Sequence, residues 1–377
     1  MNKTLFIILV LLCFKTEAQT SVLNVADSLY ANGNYSKAIE MYKTSNKLHD
    51  VNDKIAKAYV ALGNYDEAIS HYEKSISYNP NNPLVKYQYA KLLAKTKNFD
   101  KAVSVFNQLI AVDSLNPNYH YELGLVYSDL GDSLSIVEYK KSFNLDQTHQ
   151  KATYKVAKYM LQKRKFDSVD YYVDIGLKSY KNNVQLISLK AQNYYWQQEY
   201  EEAVYYFEKL ISLGETSQFI HEKLSFSYSE SYQPEKAIEH GLLALKYDPK
   251  NTTNLFILGQ LYEDVKDYEK AESYYKLAIA LDDLPLDYEY SKLGRVLNYQ
   301  KKHEEAIKIY NKALKEKPGD FAIAFYIVYT KDKYYKDIDT RIKLYKTYKT
   351  NYPKSPFLPM IEKRITELEQ ENFLKED

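Results

Sequence analysis

Two interlocked series of small residues run through this chain of 377 residues, and their spacing restricts the fold more than any other feature. Members of one series follow each other at intervals of 30 to 35 positions: Ala38, Ala68, Ala102, Ser135, Val169, Ala203, Ala237, Ala271 and Ala306. The other series precedes it by 12 positions, or by 11 in one place: Ala26, Ala56, Ala90, Gly124, Ala157, Ala191, Ser225, Gly259 and Gly294. Because a small side chain lets two helices cross closely, the pattern predicts nine successive hairpins of two helices.

The segment from Ala56 to Pro80, AKAYVALGNYDEAISHYEKSISYNP, shows the elements of one such hairpin. Tyrosines lie at helical spacing beside its two small residues, and Gly63 with Asn64 marks the turn between the helices. Prolines, which cannot continue a helix, punctuate the chain where units end: Pro80, Pro117, Pro249, Pro318 and Pro353. Periodicity and punctuation therefore agree on the same boundaries.

The residues at these positions resemble the tetratricopeptide repeat family, whose period of about 34 residues carries L-G-x-x-Y, then A-x-x-x-F, then Pro. The match is plain in LGQLYEDVKDYEKAESYYKLAIALD, from Leu258 to Asp282, and in LGNYDEAISHYEKSISYNP, from Leu62 to Pro80. The resemblance implies an all-α fold, an α-solenoid in which about nine to ten hairpins stack into a right-handed superhelix. A pentatricopeptide array has nearly the same period, but such arrays bind RNA, and this chain lacks their small-residue pattern and a basic charge.

The periodicity divides the chain into a signal peptide (1–18), a repeat region (19–353) and a C-terminal capping helix with a tail (354–377). Repeats are predicted near 19–48, 49–82, 83–116, 117–149, 150–183, 184–217, 218–251, 252–286 and 287–320, with a degenerate copy at 321–353. In that degenerate repeat Tyr329 and Arg341 occupy the small-residue positions, so we expect its two helices to pack less closely. The capping helix is predicted to present Ile361, Ile365 and Leu368 on one face.

The N-terminus has the features of an export signal. Lys3 precedes an apolar run from Leu5 to Phe14, and small residues stand at the two positions that a signal peptidase reads ahead of Gln19. We therefore expect cleavage before Gln19. The residues Glu17-Ala18-Gln19 resemble the processing sites of exported Bacteroidetes proteins, which implies a location in the periplasm or on the outer cell surface. The run is too short to span a bilayer, and no later stretch reaches the required length, so no membrane span is expected in the mature chain.

The chain's only cysteine, Cys13, lies inside this apolar run, so the mature protein is expected to contain neither disulfides nor thiol chemistry. A lipoprotein signal is the alternative interpretation of Cys13. Leu12, directly before it, is bulkier than the small residue that a lipobox carries at that position, which argues against lipidation.

Composition and motifs argue against several classes of function. The chain has 51 Lys and Arg against 50 Asp and Glu, so it lacks the basic excess of a nucleic-acid-binding protein. No H-E-x-x-H, G-x-S-x-G or P-loop motif occurs, and the seven histidines form no pair at metal-ligand spacing. We therefore expect no enzymatic activity, no nucleic acid partner, no cofactor and no metal ion.

Tyrosine is unusually frequent, at 41 residues, and the family resemblance assigns many of the aromatic side chains to a groove. In the family, positions 2, 5, 9, 12 and 13 of each first helix line the concave face. In this chain those positions predict a partner-binding stripe that consists of Tyr87, Tyr121, Tyr154, Tyr195, Trp196, Phe219, Phe226, Phe256, Tyr288, Arg295 and Tyr299. The alternative for each aromatic residue is that it fills the space between adjacent helices.

The family's carboxylate clamp needs Lys and Asn at the fifth and ninth positions of the first repeat. Here those positions hold Leu23 and Asp27, so that clamp is not predicted. The sequence favours a non-enzymatic scaffold of the bacterial envelope that binds a partner protein or peptide segment in an aromatic groove. A carbohydrate-binding or cell-wall-binding protein that uses the same rings as stacking platforms is the alternative.

Overall fold

The computed structural model describes residues 22–45, 48–281 and 286–376, so the predicted signal peptide lies outside the described residues. Within these ranges the chain forms 21 α-helices, one short 3₁₀ helix and no β-strand. The chain divides into two compact units, Met1–Leu189 and Lys190–Asp377, and the division falls within helix α11.

The helices of the first unit are α1 (22–31), α2 (Tyr35–Lys43), α3 (Asn52–Ala61), α4 (Tyr65–Tyr78), α5 (Pro83–Lys95), α6 (Phe99–Val112), α7 (Pro117–Asp129), α8 (Leu134–Leu145), α9 (Gln150–Gln162) and α10 (Phe166–Ser179), with a 3₁₀ helix at Leu48–Val51. Helix α11 spans Val184–Gln197. The helices that follow are α12 (Tyr200–Ser212), α13 (Gln218–Glu230), α14 (Pro234–Tyr247), α15 (Thr252–Asp264), α16 (Tyr268–Leu281), α17 (Asp287–Tyr299), α18 (His303–Glu316), α19 (Phe321–Tyr334), α20 (Ile338–Asn351) and α21 (Leu358–Glu376).

Within each unit the helices pack in chain order. A first helix packs on the second helix of its own hairpin, as α7 does on α8 and α13 on α14, and the second helix packs on the first helix of the next hairpin. Hydrophobic side chains from several consecutive hairpins therefore join into one buried cluster, such as the one that runs from Ala56 to Val126. This row of hairpins is the predicted all-α arrangement, an α-solenoid.

The two series of small residues lie at the closest contacts of the hairpins, as predicted. Ala203 and Ala271 are fully buried, and so are nearly all other members of both series. A Cβ atom on Gly259 would lie 2.6 Å from Cδ1 of Tyr275, and one on Gly294 would lie 2.7 Å from Cε1 of Tyr310. The ring of the second helix thus rests directly on the backbone of the first, which is why a side chain there must be small.

The turn inside each of the first nine hairpins contains one residue with a left-handed backbone. Gly63 provides it at φ +77° in the turn predicted from the sequence, and the side chain of Asn64 accepts a hydrogen bond from the backbone of Glu67 at the start of α4. In other hairpins a residue with a side chain adopts the same conformation, for example Tyr232 at φ 57° and Lys266 at φ 63°. The geometry of the turn is therefore kept even where glycine is absent.

One small-residue position predicted for the last hairpin, α19 with α20, is wrong. Asp320 accepts hydrogen bonds from the backbone of Ala322 and Ile323, which fixes the start of α19 at Phe321. The eighth residue of α19 is therefore Val328, and the eighth residue is the small one in every first helix from α5 to α17. Val328 is buried, whereas Tyr329, predicted for this place, is 39% exposed.

A buried carboxylate connects the last three helices. Asp332 of α19 accepts hydrogen bonds from Nε of Arg341 at 2.5 Å, from Nε of Arg364 at 3.0 Å and from the hydroxyl of Tyr345 at 3.1 Å. Burial alone would raise the pKa of Asp332, but the two guanidinium groups outweigh it and hold the pKa below its usual value. Arg341 occupies the predicted small-residue position of α20, so an ion pair stands there in place of a close helix contact.

Helix α21 covers the end of this hairpin. Its residues Ile361, Ile365 and Leu368 are buried against α19 and α20, so the predicted apolar face is confirmed. Of the helices in the described ranges, none combines the length and the apolar character needed to cross a membrane.

We predict that the substitution Ala271→Leu lowers the free energy of unfolding by about 1–3 kcal/mol, because the larger side chain overpacks the contact inside the hairpin. The same substitution at Ala280, which lies exposed on the same helix, is the matched control and is expected to change stability by about 0.5 kcal/mol or less. Urea unfolding followed by circular dichroism measures both. Equal midpoints for the two variants would contradict the assignment of Ala271 to the helix contact.

Candidate functional site

The three predicted binding residues of the first unit are largely packed between helices. Tyr87 contacts Tyr119 at a ring-centroid distance of 5.8 Å, and Tyr121 lies 5.9 Å from Tyr139. Tyr154 packs against the buried cluster around Tyr139. These rings are only partly exposed, and for them filling the space between helices is the larger role.

Polar contacts between neighbouring first helices engage the groups around Tyr87. Its hydroxyl donates to Oε1 of Glu122 at 3.0 Å, and the ammonium of Lys91 lies 2.7 Å from the same oxygen. Burial, followed by the Glu122 charge, raises the pKa of Tyr87. This part of the predicted stripe is therefore closed by its own hydrogen bonds and ion pairs.

The second unit brings four of the predicted residues into one cluster. Tyr195 near the end of α11 lies 5.4 Å from Trp196 and 5.6 Å from Phe226 of α13, in both cases with an edge turned to a ring face. Phe219 joins them through a shared neighbour, Lys223. We call Tyr195, Trp196, Phe219, Lys223 and Phe226 the Trp196 cluster. Trp196 is 44% exposed, and Phe219 and Phe226 are exposed to a similar degree.

Lys223 was not predicted. Its Nζ atom lies 4.4 Å from the ring centre of Tyr195, 5.6 Å from that of Trp196 and 5.7 Å from that of Phe219. Lys223 is the sixth residue of α13, outside the five positions from which the stripe was predicted. The sequence did contain a signal, because Lys223 follows Phe219 by four residues and precedes Phe226 by three, which places all three on one helix face.

A cavity of about 350 Å³ adjoins the cluster between α13, α14 and α15. Its lining includes Tyr195, Lys223 and Phe226 of the cluster together with Gly241, Ala244 and Thr253. The cavity lies at the hairpin in which Gly241 occupies the position that holds a buried ring in the other hairpins of this unit, namely Phe207, Tyr275, Tyr310 and Tyr345. Leu258 of α15 fills part of the vacated space, since a Cβ atom on Gly241 would lie 2.9 Å from its Cδ2.

Glu222 lies beside Lys223 in the same lining. Its Oε1 atom accepts hydrogen bonds from Nε2 of Gln218 at 2.8 Å and from Nδ2 of Asn254 at 2.9 Å. These two amides fix the carboxylate across the contact of α13 with α15. The cavity therefore carries a positive group and a negative group next to each other.

The other predicted residues of the second unit do not belong to the Trp196 cluster. Phe256 is half-buried at 5.6 Å from Tyr288, which is 52% exposed. Tyr299, 53% exposed, stacks on Tyr268 at 4.9 Å. Arg295 forms an ion pair within the chain.

The guanidinium of Arg295 pairs with Glu263 on the preceding first helix. Nε lies 2.6 Å from Oε1, and Nη2 donates to Oε2 at 2.9 Å. The Glu263 carboxylate is nearly inaccessible to solvent, and burial of Arg295 is outweighed by this pair, which raises the pKa of the guanidinium. Arg295 thus joins two first helices, as Lys91 does in the first unit.

Two histidine side chains contact each other between α13 and α14. Nδ1 of His221 in α13 lies 3.0 Å from Nδ1 of His240 in α14, and Nε2 of His221 lies 3.0 Å from the hydroxyl of Thr216. Burial lowers the pKa of both histidines, and the neighbouring His221 lowers that of His240 further, against the opposing charges of Glu239 and Glu208. One ring donates and the other accepts, so the contact requires at least one neutral imidazole.

In the part of the chain that the structure describes, no group of three or more His, Cys, Asp or Glu side chains is arranged to hold a metal ion. What the site offers is an exposed aromatic surface, a cavity beside it and two opposite charges. Such a surface can hold a segment of another molecule by apolar contact and direct its polar groups.

Comparison with known proteins agrees with this architecture. Models of the tetratricopeptide repeat match residues 59–123, 253–283 and 290–320. These three stretches of the chain are similar to the tetratricopeptide repeat. Repeats of this family typically form non-enzymatic scaffolds and generally serve protein–protein interaction. A comparison with curated protein sequences finds no match.

Three solved structures are among those that resemble this chain. YrrB, described as having an unusual peptide-binding site, has a TM-score of 0.46 and 16% identity, with 49% of this chain and 95% of that chain covered. A protein from Parabacteroides merdae has a TM-score of 0.45 and 15% identity, with 66% and 99% covered. Yeast Tom70 has a TM-score of 0.38 and 15% identity, with 96% and 98% covered.

We predict that acid weakens the second unit through the pair of His221 and His240. Their folded-state pKa values lie below the unfolded value of about 6.5, so the unfolded chain binds more protons in acid. The stability that the neutral pair contributes is present above about pH 6.5 and is lost as the pH falls below it. Urea unfolding at several pH values measures the loss.

The variant His240→Gln serves as the comparison, because glutamine can hydrogen-bond but does not titrate. Its free energy of unfolding is expected to fall less between about pH 7 and about pH 5 than that of the unaltered chain. The same decline in both proteins would show that the pair does not contribute to acid sensitivity.

Proposed function

We propose that this protein is a non-enzymatic scaffold that binds a segment of a partner protein at the Trp196 cluster. The observation that carries the proposal is the convergence of Tyr195, Trp196, Phe219 and Phe226 on one partly exposed surface beside a cavity. The tetratricopeptide repeats support a protein partner, since repeats of this family generally serve such interactions.

Aromatic side chains are suited to this role for two reasons. Each buries a large area on contact, and each has few rotatable bonds, so little conformational entropy is lost on binding. The rings of the cluster also hold one another edge to face, which fixes the surface before a ligand arrives. A preformed surface of this kind fits a short apolar segment better than a large flat interface.

We also propose that the protein acts in the bacterial envelope, in the periplasm or at the outer surface. The support comes from the sequence, in which Lys3, the apolar run and the small residues before Gln19 have the pattern of an export signal. A scaffold in this compartment would meet its partner after export.

The carbohydrate-binding alternative uses the same rings, because sugars also stack on tryptophan and tyrosine. The two functions differ in the ligand that perturbs Trp196. This residue is the chain's only tryptophan, so its fluorescence reports on the cluster without interference from other sites.

We predict that Trp196→Ala weakens the binding of peptides selected from a random library on the unaltered protein by about 10-fold or more, because a central ring of the contact is lost. Tyr205→Ala is the matched control, since Tyr205 is 61% exposed but lies on the second helix of the same hairpin. Fluorescence anisotropy of a labelled peptide measures affinity, and urea unfolding checks that both variants remain folded.

Two results would contradict the proposal. Equal losses for Trp196→Ala and Tyr205→Ala would place the binding surface elsewhere. If no peptide is selected while cell-wall oligosaccharides quench Trp196 fluorescence, the protein binds carbohydrate and the scaffold proposal is wrong.

For the envelope location, we predict that the mature protein begins at Gln19. N-terminal sequencing of the protein recovered from a periplasmic or outer-membrane fraction of a bacterial host measures this directly. Replacement of apolar residues in the run from Leu5 to Phe14 by charged ones should leave the chain unprocessed. A protein that retains Met1 and fractionates with the cytoplasm would contradict the proposal.

A further inference from the structure

We infer that the bound segment inserts a tyrosine side chain into the cavity of the hairpin of α13 and α14, where Glu222 accepts a hydrogen bond from its hydroxyl. The ring of the ligand takes the place that a ring of the second helix takes in other hairpins. This inference rests on the proposed function, because it names the residue of the partner segment that the Trp196 cluster would position.

The vacant place lies four residues after each member of the second-helix series, counted from Arg341 in the last hairpin. In eight of the ten hairpins that the structure describes, this residue is a buried aromatic ring: Tyr42, Tyr72, Phe106, Tyr139, Phe207, Tyr275, Tyr310 and Tyr345. The two exceptions are Val173, whose own side chain is completely buried, and Gly241. Gly241 is thus the one residue of these ten that supplies no side chain.

The first helix of this hairpin also lacks a ring at the matching place. In three other hairpins the buried ring contacts an aromatic residue at the fifth position of its own first helix, with ring centres 5.2 to 6.2 Å apart: Phe106 with Tyr87, Tyr139 with Tyr121, and Tyr275 with Phe256. The fifth residue of α13 is Glu222. Both rings of the contact are therefore absent, and Glu222 and Gly241 line the cavity instead.

The cavity has the size and the wall that an aromatic ring needs. An apolar cavity of about 150 Å³ already admits benzene. This cavity has a volume of about 350 Å³, and its apolar wall includes Phe226, Gly241, Ala244 and Ile257. An aromatic side chain combines a large apolar area with few rotatable bonds, so its burial here would contribute strongly to affinity.

Glu222 provides an acceptor beside this apolar wall. Its Oε1 atom accepts from Gln218 and Asn254, but the described part of the chain places neither a donor on Oε2 nor a cation within ion-pair distance of the carboxylate. A ligand cation would be repelled, because the ammonium group of Lys223 lines the same cavity. Tyrosine offers a neutral donor at the tip of a ring, which phenylalanine and leucine lack.

The chain uses the same pair of groups inside its own hairpins. At the position of Gly241, three tyrosines donate to a carboxylate on the first helix of the same hairpin: Tyr42 to Asp27 at 2.5 Å, Tyr275 to Glu263 at 3.0 Å and Tyr345 to Asp332 at 3.1 Å. A tyrosine brought by a ligand would form the corresponding pair with Glu222. A hydrogen bond to an ionised acceptor is stronger than one between neutral groups, which favours tyrosine over phenylalanine.

The cavity is continuous with the proposed binding surface. Tyr195 and Phe226 belong to the Trp196 cluster and also line the cavity. A segment that lies across the cluster can therefore place one side chain in the cavity while its neighbours contact the exposed rings. The cavity would then select one residue of the segment, and the cluster would hold the rest.

The first test is selection of nonapeptides from a random phage library on the full chain. We expect tyrosine at one fixed position of the enriched peptides. Analogues of one such peptide are then compared by fluorescence anisotropy. Replacement of the tyrosine by phenylalanine is expected to weaken binding by about 10-fold, and replacement by alanine by about 100-fold. Enriched peptides that share no tyrosine, or a phenylalanine analogue that binds as tightly as the parent, contradict the inference.

Gly241→Phe tests the cavity by placing a ring of the chain itself in it. A Cβ atom there would lie 2.9 Å from Cδ2 of Leu258. Leu224 and Leu293, buried at the same position of the helices that follow Phe207 and Tyr275, show that a leucine there is compatible with a ring. The variant is expected to weaken the tyrosine peptide by about 100-fold and to leave the alanine analogue unaffected. Undiminished binding of the tyrosine peptide contradicts the inference.

A second variant closes the cavity from outside, without changing the contact between helices. Thr253 is exposed and lines the cavity, whereas the preceding Thr252 does not line it and is the matched control. Thr253→Phe is expected to weaken the tyrosine peptide by about 10-fold, and Thr252→Phe to leave its affinity unchanged. Urea unfolding checks that all variants remain folded. Equal affinities of the two threonine variants contradict the inference.

Glu222→Gln tests the acceptor. The amide oxygen of glutamine can still accept from Gln218 and Asn254, but an amino group replaces Oε2 and the charge is lost. On this variant the tyrosine peptide and its phenylalanine analogue are expected to bind within about 2-fold of each other. A preference for tyrosine as large as on the unaltered chain would show that Glu222 is not the acceptor.

Failure of this inference can be told from failure of the proposed function. If the enriched peptides share no tyrosine but lose affinity on Trp196→Ala, the scaffold function stands and the tyrosine inference is wrong. If tyrosine peptides depend on Gly241 and Glu222 but bind Trp196→Ala normally, the cavity acts as inferred and the Trp196 cluster is not the binding surface. If no peptide is enriched, both proposals are overturned.

Discussion

Most hairpins depend on one contact, in which a side chain of the second helix lies against a residue with little or no side chain in the first. Gly259 and Tyr275 show this contact at its closest, since even a methyl group on the glycine would overlap the ring. Because nothing can be added there, the position of the ring determines how the two helices cross. The remaining apolar faces are buried by the next hairpin, as in the cluster that extends from Ala56 to Val126.

The candidate site lies where this contact has changed. In the hairpin of α13 and α14 the ring is replaced by Gly241, and the side chain of Leu258 enters only part of the space, so a cavity remains beside Lys223. The hairpin keeps its helix crossing by another means, since the hydroxyl of Ser225 donates to the backbone oxygen of Ala237 at 2.8 Å. A polar contact thus replaces an apolar one, and the fold loses packed volume without losing the connection between its helices.

The sequence predicted the features that recur from repeat to repeat, because a pattern present in many copies can be recognised even where single copies depart from it. Both series of small residues and the apolar face of α21 were predicted correctly. Tyr329 was placed wrongly by one position, because the N-cap at Asp320 determines where α19 begins and periodicity alone cannot resolve a shift of one residue. The aromatic stripe was predicted as a set, but periodicity could not tell exposed rings such as Trp196 from packed ones such as Tyr121. That difference depends on contacts between hairpins.

The sequence did not predict Lys223, because the groove positions taken from the family describe an average repeat. The contacts of Lys223 depend on rings that are particular to this hairpin. The rings around it provide contact area that many apolar segments could use, so by themselves they favour binding with little discrimination. Adjacent opposite charges at Lys223 and Glu222 would add discrimination, because a misplaced charge meets a like charge in a partly dehydrated site. Opposite charges on other first helices can be joined to each other, as Arg295 is to Glu263, and such pairs stabilise the row of hairpins rather than a bound partner.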